Sequence, residues 1–425
     1  MNYLELSNYI DSNSIDKLLI KAACLNNLED EKNRYHILLD EAYGLFGDGD
    51  YHIVSSPGRT EIGGNHTDHQ HGNIVAATLS IDNVCVYKKS DDSIITFKDP
   101  LFGEVSIDTN DLNYHEEEKN TSKALIRGIA SRLKQLGYNI GGFKALCDSR
   151  VLVGASISSS ACFEVMIAEI FNCLFNEGKI SSLTRALVGQ YSENEYFGKA
   201  SGLLDQLTIS VGGFVAADFK NPDNPIIENF DFSFDDYGYK FFIINTKGTH
   251  DNLSDEYSNI PYEMRQVGKE LNVEYLKDSS YESLIDNFSS IRAKVQNDRA
   301  LLRSIHFFKE DRRAVEEKEA IRKQDINSLL KLMIDSGKSS YMYLQNVFVI
   351  NNIKSQSLSL ALALSEYYLN GQGAFRMQGG GFEGTIIAVV PQELTKGYVK
   401  LMSSVFGEDS VLNVSIRSIG TKTII

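Results

Sequence analysis

The chain has 425 residues, of which 42% are hydrophobic, 23% charged and 10% aromatic, and its formal net charge is −15. This length exceeds what one hydrophobic core usually supports, so two domains are expected. The negative charge argues against nucleic acid or an anionic membrane surface as the main partner. It does not argue against a nucleotide, because helix N-termini and backbone N–H groups hold phosphates without net positive charge.

Predicted helices and strands alternate along the first half of the chain. Residues 16–47 carry apolar positions at helical spacing, and Gly47 is a typical stop. "YHIVSSPGR" then predicts a strand running into a turn, and residues 72–99 alternate as a β region with an Asp-Asp turn. Residues 121–137 form an amphipathic helix with a Thr/Ser cap and a terminal glycine.

The second half follows the same mixed pattern. A small-residue turn at 154–160 leads into a buried helix, and 184–198 predicts another helix. Residues 211–246 are β-like, 298–337 are helical, and 373–390 combine a glycine loop with a strand. These elements predict an α+β fold of two lobes, an N-terminal lobe of residues 1–215 and a C-terminal lobe of residues 216–425.

Cysteine usage and the apolar segments indicate a cytoplasmic protein. Five cysteines are widely spread and never form a CxxC pair, which argues against a disulfide framework or a zinc-thiolate site. The N-terminus carries acidic residues early and predicts no signal peptide. The longest apolar-looking stretch, residues 357–369, is too short to span a bilayer. The oligomeric state stays open.

The stretch "SPGRTEIGGNHTDHQHG" at residues 56–72 concentrates polar chemistry. His66, Asp68, His69 and His71 could form a metal cluster, but their order differs from the H-x-H-x-D-H arrangement of zinc hydrolases. Metal ligands also need a rigid frame and neighbouring groups that hydrogen-bond to them, which this spacing does not supply. A second alternative leaves His69 and His71 as solvated loop residues.

Three further segments could carry chemistry. "LVGASISSSACFEV" at 152–165 places small residues and serines before a helix, where N–H donors can bind phosphate and a hydroxyl can ligate Mg²⁺; simple capping is the alternative. "ENEYFGKASGLLDQ" contains two carboxylates, Glu193 and Asp205, suited to a Mg²⁺ ligand and a reaction-centre carboxylate; a surface Glu and a capping Asp are equally ordinary. "RMQGGGFEG" at 376–384 is a glycine loop or a tight turn.

Taken in this order, the four segments resemble the GHMP kinase superfamily and, within it, the galactokinase family. That family's first motif, PGR-x-x-(L/I)-x-G-E-H-T-D-Y, is close to "PGRTEIGGNHTDH", and its P-x-G-x-G-L-S-S-S-A motif is similar to "LVGASISSSA". Its E-N-x-(F/Y)-x-G…CGIMDQ block resembles residues 193–206, and its R-M-T-G-G-G-F-G-G loop resembles residues 376–384. The resemblance spans about residues 50 to 425, and the N-terminal fifty residues look longer than the family's usual lead-in.

The resemblance implies an ATP-dependent kinase that phosphorylates the C1 hydroxyl of galactose in a cleft between two lobes. Asp205 would be the catalytic carboxylate and Arg59 its partner, since a paired aspartate stays ionised and a guanidinium stabilises transferring phosphoryl charge. Ser160 and Glu193 would hold Mg²⁺. The sugar would contact Asn65, His66, Asp68, Gly202 and Tyr257, and the nucleotide phosphates Gly154, Ser156, Ser158, Ser159 and Ser160.

Departures from the family motifs leave the substrate open. Asn65 replaces a glutamate that, in the family, accepts a hydrogen bond from the sugar C6 hydroxyl. Its amide N–H groups could donate to a C6 carboxylate, so galacturonate or another C6-modified galactose is an alternative. Ser156 replaces a loop glycine, which ordinary backbone angles would tolerate. Glu383 also replaces a glycine and is predicted to turn away from the phosphates. A non-catalytic sugar sensor on the kinase scaffold is a further alternative.

Overall fold

The computed structural model describes residues 1–23, 28–99, 103–151, 156–199, 201–248, 253–382 and 384–425. Its helices are α1 Tyr3–Asp11, α2 Asp16–Ala23, α3 Leu28–Phe46, α4 Ser122–Gln135, α5 Ser159–Asn176, α6 Ser182–Ser192, α7 Leu204–Val211, α8 Ser254–Glu270, α9 Tyr281–Asp286, α10 Phe288–Val295, α11 Asp298–Arg322, α12 Ile326–Ser339, α13 Ser357–Leu369 and α14 Thr395–Phe406. Its strands are β1 Tyr51–Gly63, β2 Asn73–Lys89, β3 Ile94–Asp99, β4 Gly103–Asp108, β5 Phe143–Ser149, β6 Phe214–Asp218, β7 Ile226–Phe230, β8 Tyr239–Asn245, β9 Ala374–Met377, β10 Thr385–Pro391, β11 Val411–Val414 and β12 Lys422–Thr423.

The strands form two sheets, and the fold is α+β with two lobes, as the sequence predicts. The first sheet has the order β12-β1-β2-β5-β3-β4, with β6 paired to β2 and β7 paired to β6. All of its pairs are antiparallel except β3 with β5. The second sheet is antiparallel with the order β11-β8-β10-β9. Chain segments distant in sequence therefore meet at the junction of the sheets.

The chain leaves the first sheet only after β7, which is later than the predicted boundary between residues 215 and 216. That boundary falls inside β6, which pairs with β2 from Asn73 to Ala77 and belongs to the first sheet together with β7. The chain also returns to this sheet at its end, where β12 pairs with β1. A single cut in the sequence cannot separate the two sheets, because the last strand lies in the first one.

The predicted turn at Pro57–Gly58 is wrong, because β1 continues through it to Gly63. Its register with β2 shifts between Pro57, which faces Asp82, and Arg59, which faces Thr78. Proline donates no ladder hydrogen bond and is tolerated at such an irregularity. Arg59 thus lies on a strand of the sheet rather than on a loop.

The N-terminal helices α1 to α3 cover one face of the first sheet. Apolar residues such as Leu6, Ile10 and Leu39 pack against Ile53 and Val86 of the strands. The predicted helix over residues 16–47 corresponds to α2 and α3, with residues 24–27 between them outside the description. None of the helices within the described ranges is long and apolar enough to cross a membrane.

Buried helices hold the site-bearing segments in place. Helix α5 is almost wholly buried, and Val165 and Ile170 are fully covered by the sheet and neighbouring helices. Helix α6 continues into a π-helical turn, Glu193–Phe197, which ends at Gly198 with a positive φ of 87°. Such π-turns often occur at functional sites. This turn carries Glu193 beside the start of α5.

Candidate active site

The carboxylate of Asp205 and the guanidinium of Arg59 form a bidentate ion pair. Arg59 Nε lies 2.6 Å from Asp205 Oδ1, and Arg59 Nη2 lies 2.7 Å from Oδ2. Arg59 Nη1 donates to the carbonyl of Ser156 at 2.6 Å, so the side chain spans from β1 to the loop before α5. Paired N–H groups of this kind fix both the position and the orientation of the carboxylate.

Asp205 is held in its ionised form. It lies in the first turn of α7, and Ser158 Oγ donates a short hydrogen bond to its Oδ2. Burial alone would raise the pKa of Asp205, but the charge and hydrogen bonds of Arg59, with the bond from Ser158, lower that pKa below its ordinary value. The site therefore presents a fixed negative charge.

The serine segment forms the start of α5, as predicted from its small residues. Ser158 is the N-cap, and Ser159 and Ser160 lie in the first turn, where N–H groups lack helical partners. Ser156 and Ser158 have positive φ values of 52° and 61°, so the ordinary backbone angles under which serine would be tolerated at position 156 are not met. This left-handed conformation explains why a glycine would suit the position. Gly154 lies outside the described residues.

Ser160 and Glu193 converge at this helix start. Ser160 Oγ donates to Glu193 Oε1 at 3.1 Å, and Gln206 Nε2 donates to Glu193 Oε2 at 3.0 Å. The same amide reaches Glu164 Oε2 at 2.9 Å, while Glu164 Oε1 is buried with no hydrogen-bond partner among the described residues. A hydroxyl and carboxylate oxygens are the donor set that Mg²⁺ prefers, so these residues fit the metal that the resemblance implies.

Charge is concentrated around this donor set. Burial, together with the charge of Glu193, raises the pKa of Glu164 well above its ordinary value. Lys199 Nζ lies 2.8 Å from Glu193 Oε1, on the same oxygen that Ser160 contacts. Burial acts to lower the pKa of Lys199, but Glu193 raises it above the ordinary value. Lys199 is therefore a charged partner of Glu193.

His66 is a neutral side chain with one free ring nitrogen. Its Nε2 lies 3.1 Å from the carbonyl of Gly380, which can only accept, so Nε2 carries the proton. Burial, reinforced by the neighbouring His69, lowers the pKa of His66 to about 3. Nδ1 is left as an acceptor suited to a sugar hydroxyl.

Asp68 and Gly202 fit each other closely. Asp68 Oδ1 accepts from the backbone of His69 at 3.0 Å, and Oδ2 accepts from the backbone of Leu204 at 3.4 Å. A Cβ on Gly202 would overlap the Asp68 carboxylate. The loop before α7 thus positions Asp68 only because residue 202 lacks a side chain.

Tyr257 closes the site from the C-terminal lobe. Its hydroxyl donates to the carbonyl of Gly381 at 3.3 Å, and its ring packs edge-on against Phe382. A Cβ on Gly380 would overlap the Tyr257 ring. The glycine loop after β9 therefore brings its backbone against this ring. Glu383, predicted to turn away from the phosphates, lies outside the described residues.

Asn65 is fully buried, and its amide is committed to internal partners. Nδ2 donates to Glu61 Oε2 at 3.1 Å and to the carbonyl of Gly379 at 2.9 Å. Oδ1 accepts from Ser340 Oγ at 3.2 Å and from Asn346 Nδ2 at 3.0 Å. Both amide protons are used, so the physical basis for recognising a C6 carboxylate through Asn65 is absent.

The remaining histidines have separate roles. The expectation that His71 is a solvated loop residue is wrong, because its ring is half-buried and stacks on Tyr275 with centroids 3.7 Å apart. His69 is also half-buried and stacks on His66 at 5.5 Å. Across the part of the chain that the structure describes, no three His, Cys, Asp or Glu side chains converge as a metal cluster. The histidine stretch forms a wall of the site instead.

One cavity of about 610 Å³ joins these groups. Of the residues predicted for the site, it is lined by Arg59, Asn65, His66, Asp68, Ser156, Ser158, Ser159, Ser160, Gly202, Asp205 and Tyr257. Glu193 lies behind the wall, in contact with Ser160. The acceptor groups of His66 and Asp68 thus share one cavity with the serine start of α5 and the ionised carboxylate of Asp205.

Family models match two stretches of the chain. Residues 43–89 match the galactokinase galactose-binding signature, and residues 124–213 match the GHMP kinases N terminal domain. The galactokinase of Clostridium tetani is 26% identical over 86% of this chain and 91% of its own length, and that of Glaesserella parasuis is 28% identical over 84% and 90%. The chain is thus similar to galactokinases and, more widely, to the GHMP kinases.

Solved structures share the fold of this chain. The galactokinase of Lactococcus lactis, crystallised with galactose, superposes with a TM-score of 0.79 at 22% identity and covers 90% of this chain and 98% of its own. The mevalonate kinase of Methanococcus jannaschii gives 0.61 at 17% identity, covering 87% and 99%. These likenesses extend over both lobes.

The cavity is also lined by residues that the sequence analysis missed. They include Asn194, Lys199, Ser201, Ser258, Pro261, Tyr262 and Arg265. Asn194, Lys199 and Ser201 lie inside the acid block already singled out, and the other four lie within three turns of helix α8. The signal that could have found them is position: each falls within nine residues of a residue that was predicted.

Proposed function

We propose that the protein transfers the γ-phosphoryl group of ATP to the C1 hydroxyl of galactose, giving galactose 1-phosphate and ADP. The observation that carries this proposal is the bidentate pair of Arg59 and Asp205 in the wall of the cavity, beside the serine start of α5. The match to the galactokinase galactose-binding signature and the relatives named galactokinase support the same substrate pair.

In the proposed reaction, Asp205 orients the attacking hydroxyl. The C1 oxygen forms a bond to the γ-phosphorus, the bond between that phosphorus and the β–γ bridging oxygen breaks, and ADP leaves. Because Arg59 lowers its pKa, Asp205 is a weak base and accepts the hydroxyl proton late, once the oxygen has begun to bond to phosphorus. Arg59 Nη groups supply positive charge beside the transferring phosphoryl group.

The sugar would occupy the side of the cavity formed by His66, Asp68 and Tyr257. His66 Nδ1 and the Asp68 carboxylate are acceptors, and sugar hydroxyls donate to both kinds of group. The triphosphate would lie against the N–H groups that begin α5, where the helix dipole favours negative charge. Both substrates would then meet at Asp205.

Mg²⁺ is the metal that Ser160 and Glu193 would hold, and when bound it would neutralise phosphate charge. ATP as co-substrate agrees with a cytoplasmic location. The four cysteines within the described residues are free thiols, which suits the same reducing compartment. Small molecules are accordingly the proposed partners of the site.

The test is ADP release with MgATP and a panel of hexoses and hexuronates. Galactose is expected to support turnover and galacturonate is not, because the Asn65 amide has no free donor for a carboxylate. Turnover with galacturonate alone would contradict the galactose assignment. Measurable galactose binding without ADP release would favour a sensor built on the kinase scaffold.

A further inference from the structure

Lys199 forms an ion pair with the Glu193 oxygen that would bind a metal ion. Its ammonium lies 2.8 Å from Glu193 Oε1, and Ser160 Oγ reaches the same oxygen at 3.1 Å. The Glu193 side chain is 2% exposed, whereas the Lys199 side chain is 54% exposed and lines the cavity. An exposed lysine thus extends from the cavity to a buried carboxylate.

We propose that Lys199 and the divalent cation compete for Glu193, with the lysine as the counter-ion of the nucleotide-free protein and the metal as its replacement. Mg²⁺ binds oxygen at about 2.0–2.1 Å in a strict octahedron, which leaves no room for an ammonium on the same side of the oxygen. This inference rests on the proposed function, because that function supplies the metal–nucleotide complex.

The surroundings favour exchange over a permanent ion pair. Lysine is a compact point charge on a flexible stem, and it follows Gly198, whose φ is 87°. Glu193 keeps its hydrogen bonds from Ser160 and Gln206 when the ammonium leaves. The buried Glu164 lies beyond Gln206, so Glu193 gains from a cation of either kind in this part of the site.

The test compares Lys199→Met with wild type by calorimetric titration of ADP in EDTA and at saturating Mg²⁺. The quantity of interest is the factor by which Mg²⁺ tightens ADP binding. In Lys199→Met, which lacks the competing ammonium, this factor is expected to rise about tenfold. Lys199→Arg keeps a competing positive charge, so its factor is expected to equal that of wild type. Lys119→Met is the matched control, because Lys119 lies beside Gly198 but pairs with Glu116 at 3.9 Å.

A second measurement needs no nucleotide. Lys199→Met leaves Glu193 without its cation, so its melting temperature is expected to fall below that of wild type and to recover more when Mn²⁺ is added. An unchanged Mg²⁺ factor with no extra recovery by Mn²⁺ would overturn the competition. A wild type that binds no ADP at any Mg²⁺ concentration would instead contradict the proposed kinase function, and the Mn²⁺ response would still decide the role of Lys199.

Discussion

Arg59 and Asp205 are 146 positions apart in the sequence, yet two N–H groups of one meet two oxygens of the other at 2.6 and 2.7 Å. Arg59 lies on β1 and Asp205 in the first turn of α7, so the pair ties a strand to a helix across the wall of the cavity. The carboxylate is consequently both ionised and fixed in orientation. Two substitutions separate these properties.

Asp205→Asn keeps the shape of the side chain and removes its charge. We expect kcat to fall by roughly 10²–10⁴, because the amide cannot accept the hydroxyl proton, while ADP affinity stays near that of wild type. Steady-state ADP release and calorimetric ADP binding measure the two quantities. A variant retaining more than a tenth of wild-type kcat would remove Asp205 from the reaction centre.

Arg59→Met is expected to move the acid limb of the kcat profile to higher pH. In wild type the pKa of Asp205 is below its ordinary value of 3.8, so protonation of this group does not limit activity above about pH 5. Without the guanidinium, burial becomes the dominant influence and raises that pKa. The profile from pH 4.5 to 8 checks the shift. An Arg59→Met variant with residual activity but an unshifted acid limb would show that Arg59 does not control Asp205.

The sequence predicts the fold class, and most of the predicted site residues line the cavity, because each motif carries several groups at fixed offsets. His66 and Asp68 lie in one loop, and Ser158 to Ser160 lie at the start of one helix. Local spacing is therefore sufficient to bring the residues of each group together. The continuation of β1 through Pro57 could not be predicted, since a Pro-Gly pair normally marks a turn and only the register with β2 accommodates it here.

Contacts between elements that are distant in the sequence could not be predicted either. The amide of Asn65 looks free in the motif, yet Ser340 and Asn346, about 280 positions away, determine its orientation. Lys199 reaches Glu193 because the π-helical turn places them on one side, which no helical periodicity indicates. Long-range burial therefore decides the properties that motif spacing leaves open.

Gly202→Ala is expected to weaken sugar binding selectively. Its Cβ would overlap the Asp68 carboxylate, so Asp68 must move from the wall of the cavity. We expect the KM for galactose to rise about tenfold, with the KM for ATP changed by less than about twofold. Ser201→Ala is the control, because it keeps the loop and removes only a hydroxyl bonded to Asn194. Equal increases in both KM values would indicate a general loop defect instead.

Asn65→Asp is expected to destabilise the protein by about 3 kcal/mol in urea unfolding. An aspartate places negative charge 3.1 Å from Glu61 Oε2 and beside the carbonyl of Gly379, where the wild-type amide donates. Adding Glu61→Gln restores a donor at that position and is expected to recover more than half of the loss. A double variant as unstable as the sum of its single variants would show that positions 61 and 65 do not interact.

Glu317 provides a prediction on stability and pH. Both of its carboxyl oxygens are buried without a hydrogen-bond partner among the described residues, and burial, with the charge of Glu310, raises its pKa well above 4.5. Between about pH 4.5 and the raised pKa, the folded protein keeps a proton that the unfolded chain releases. The contribution of Glu317 to stability is therefore full below pH 4.5 and decreases as pH rises, by up to about 1.4 kcal/mol per pH unit.

Glu317→Gln removes this proton uptake, so its unfolding free energy relative to wild type is expected to increase from pH 5 to pH 8. Glu310→Gln is the matched control, because its effect on the unfolding free energy is expected to depend on pH in the opposite direction. Burial acts to raise the pKa of Glu310, but Arg313 lowers it below the ordinary value, and its carboxylate accepts from Gly64 N at 3.1 Å. The Glu310 contribution is present above about pH 4.5 and lost as pH falls, so Glu310→Gln should cost most at neutral pH. Urea unfolding at each pH measures both differences, and a Glu317→Gln difference that stays constant with pH would mean that Glu317 is ionised in the folded protein.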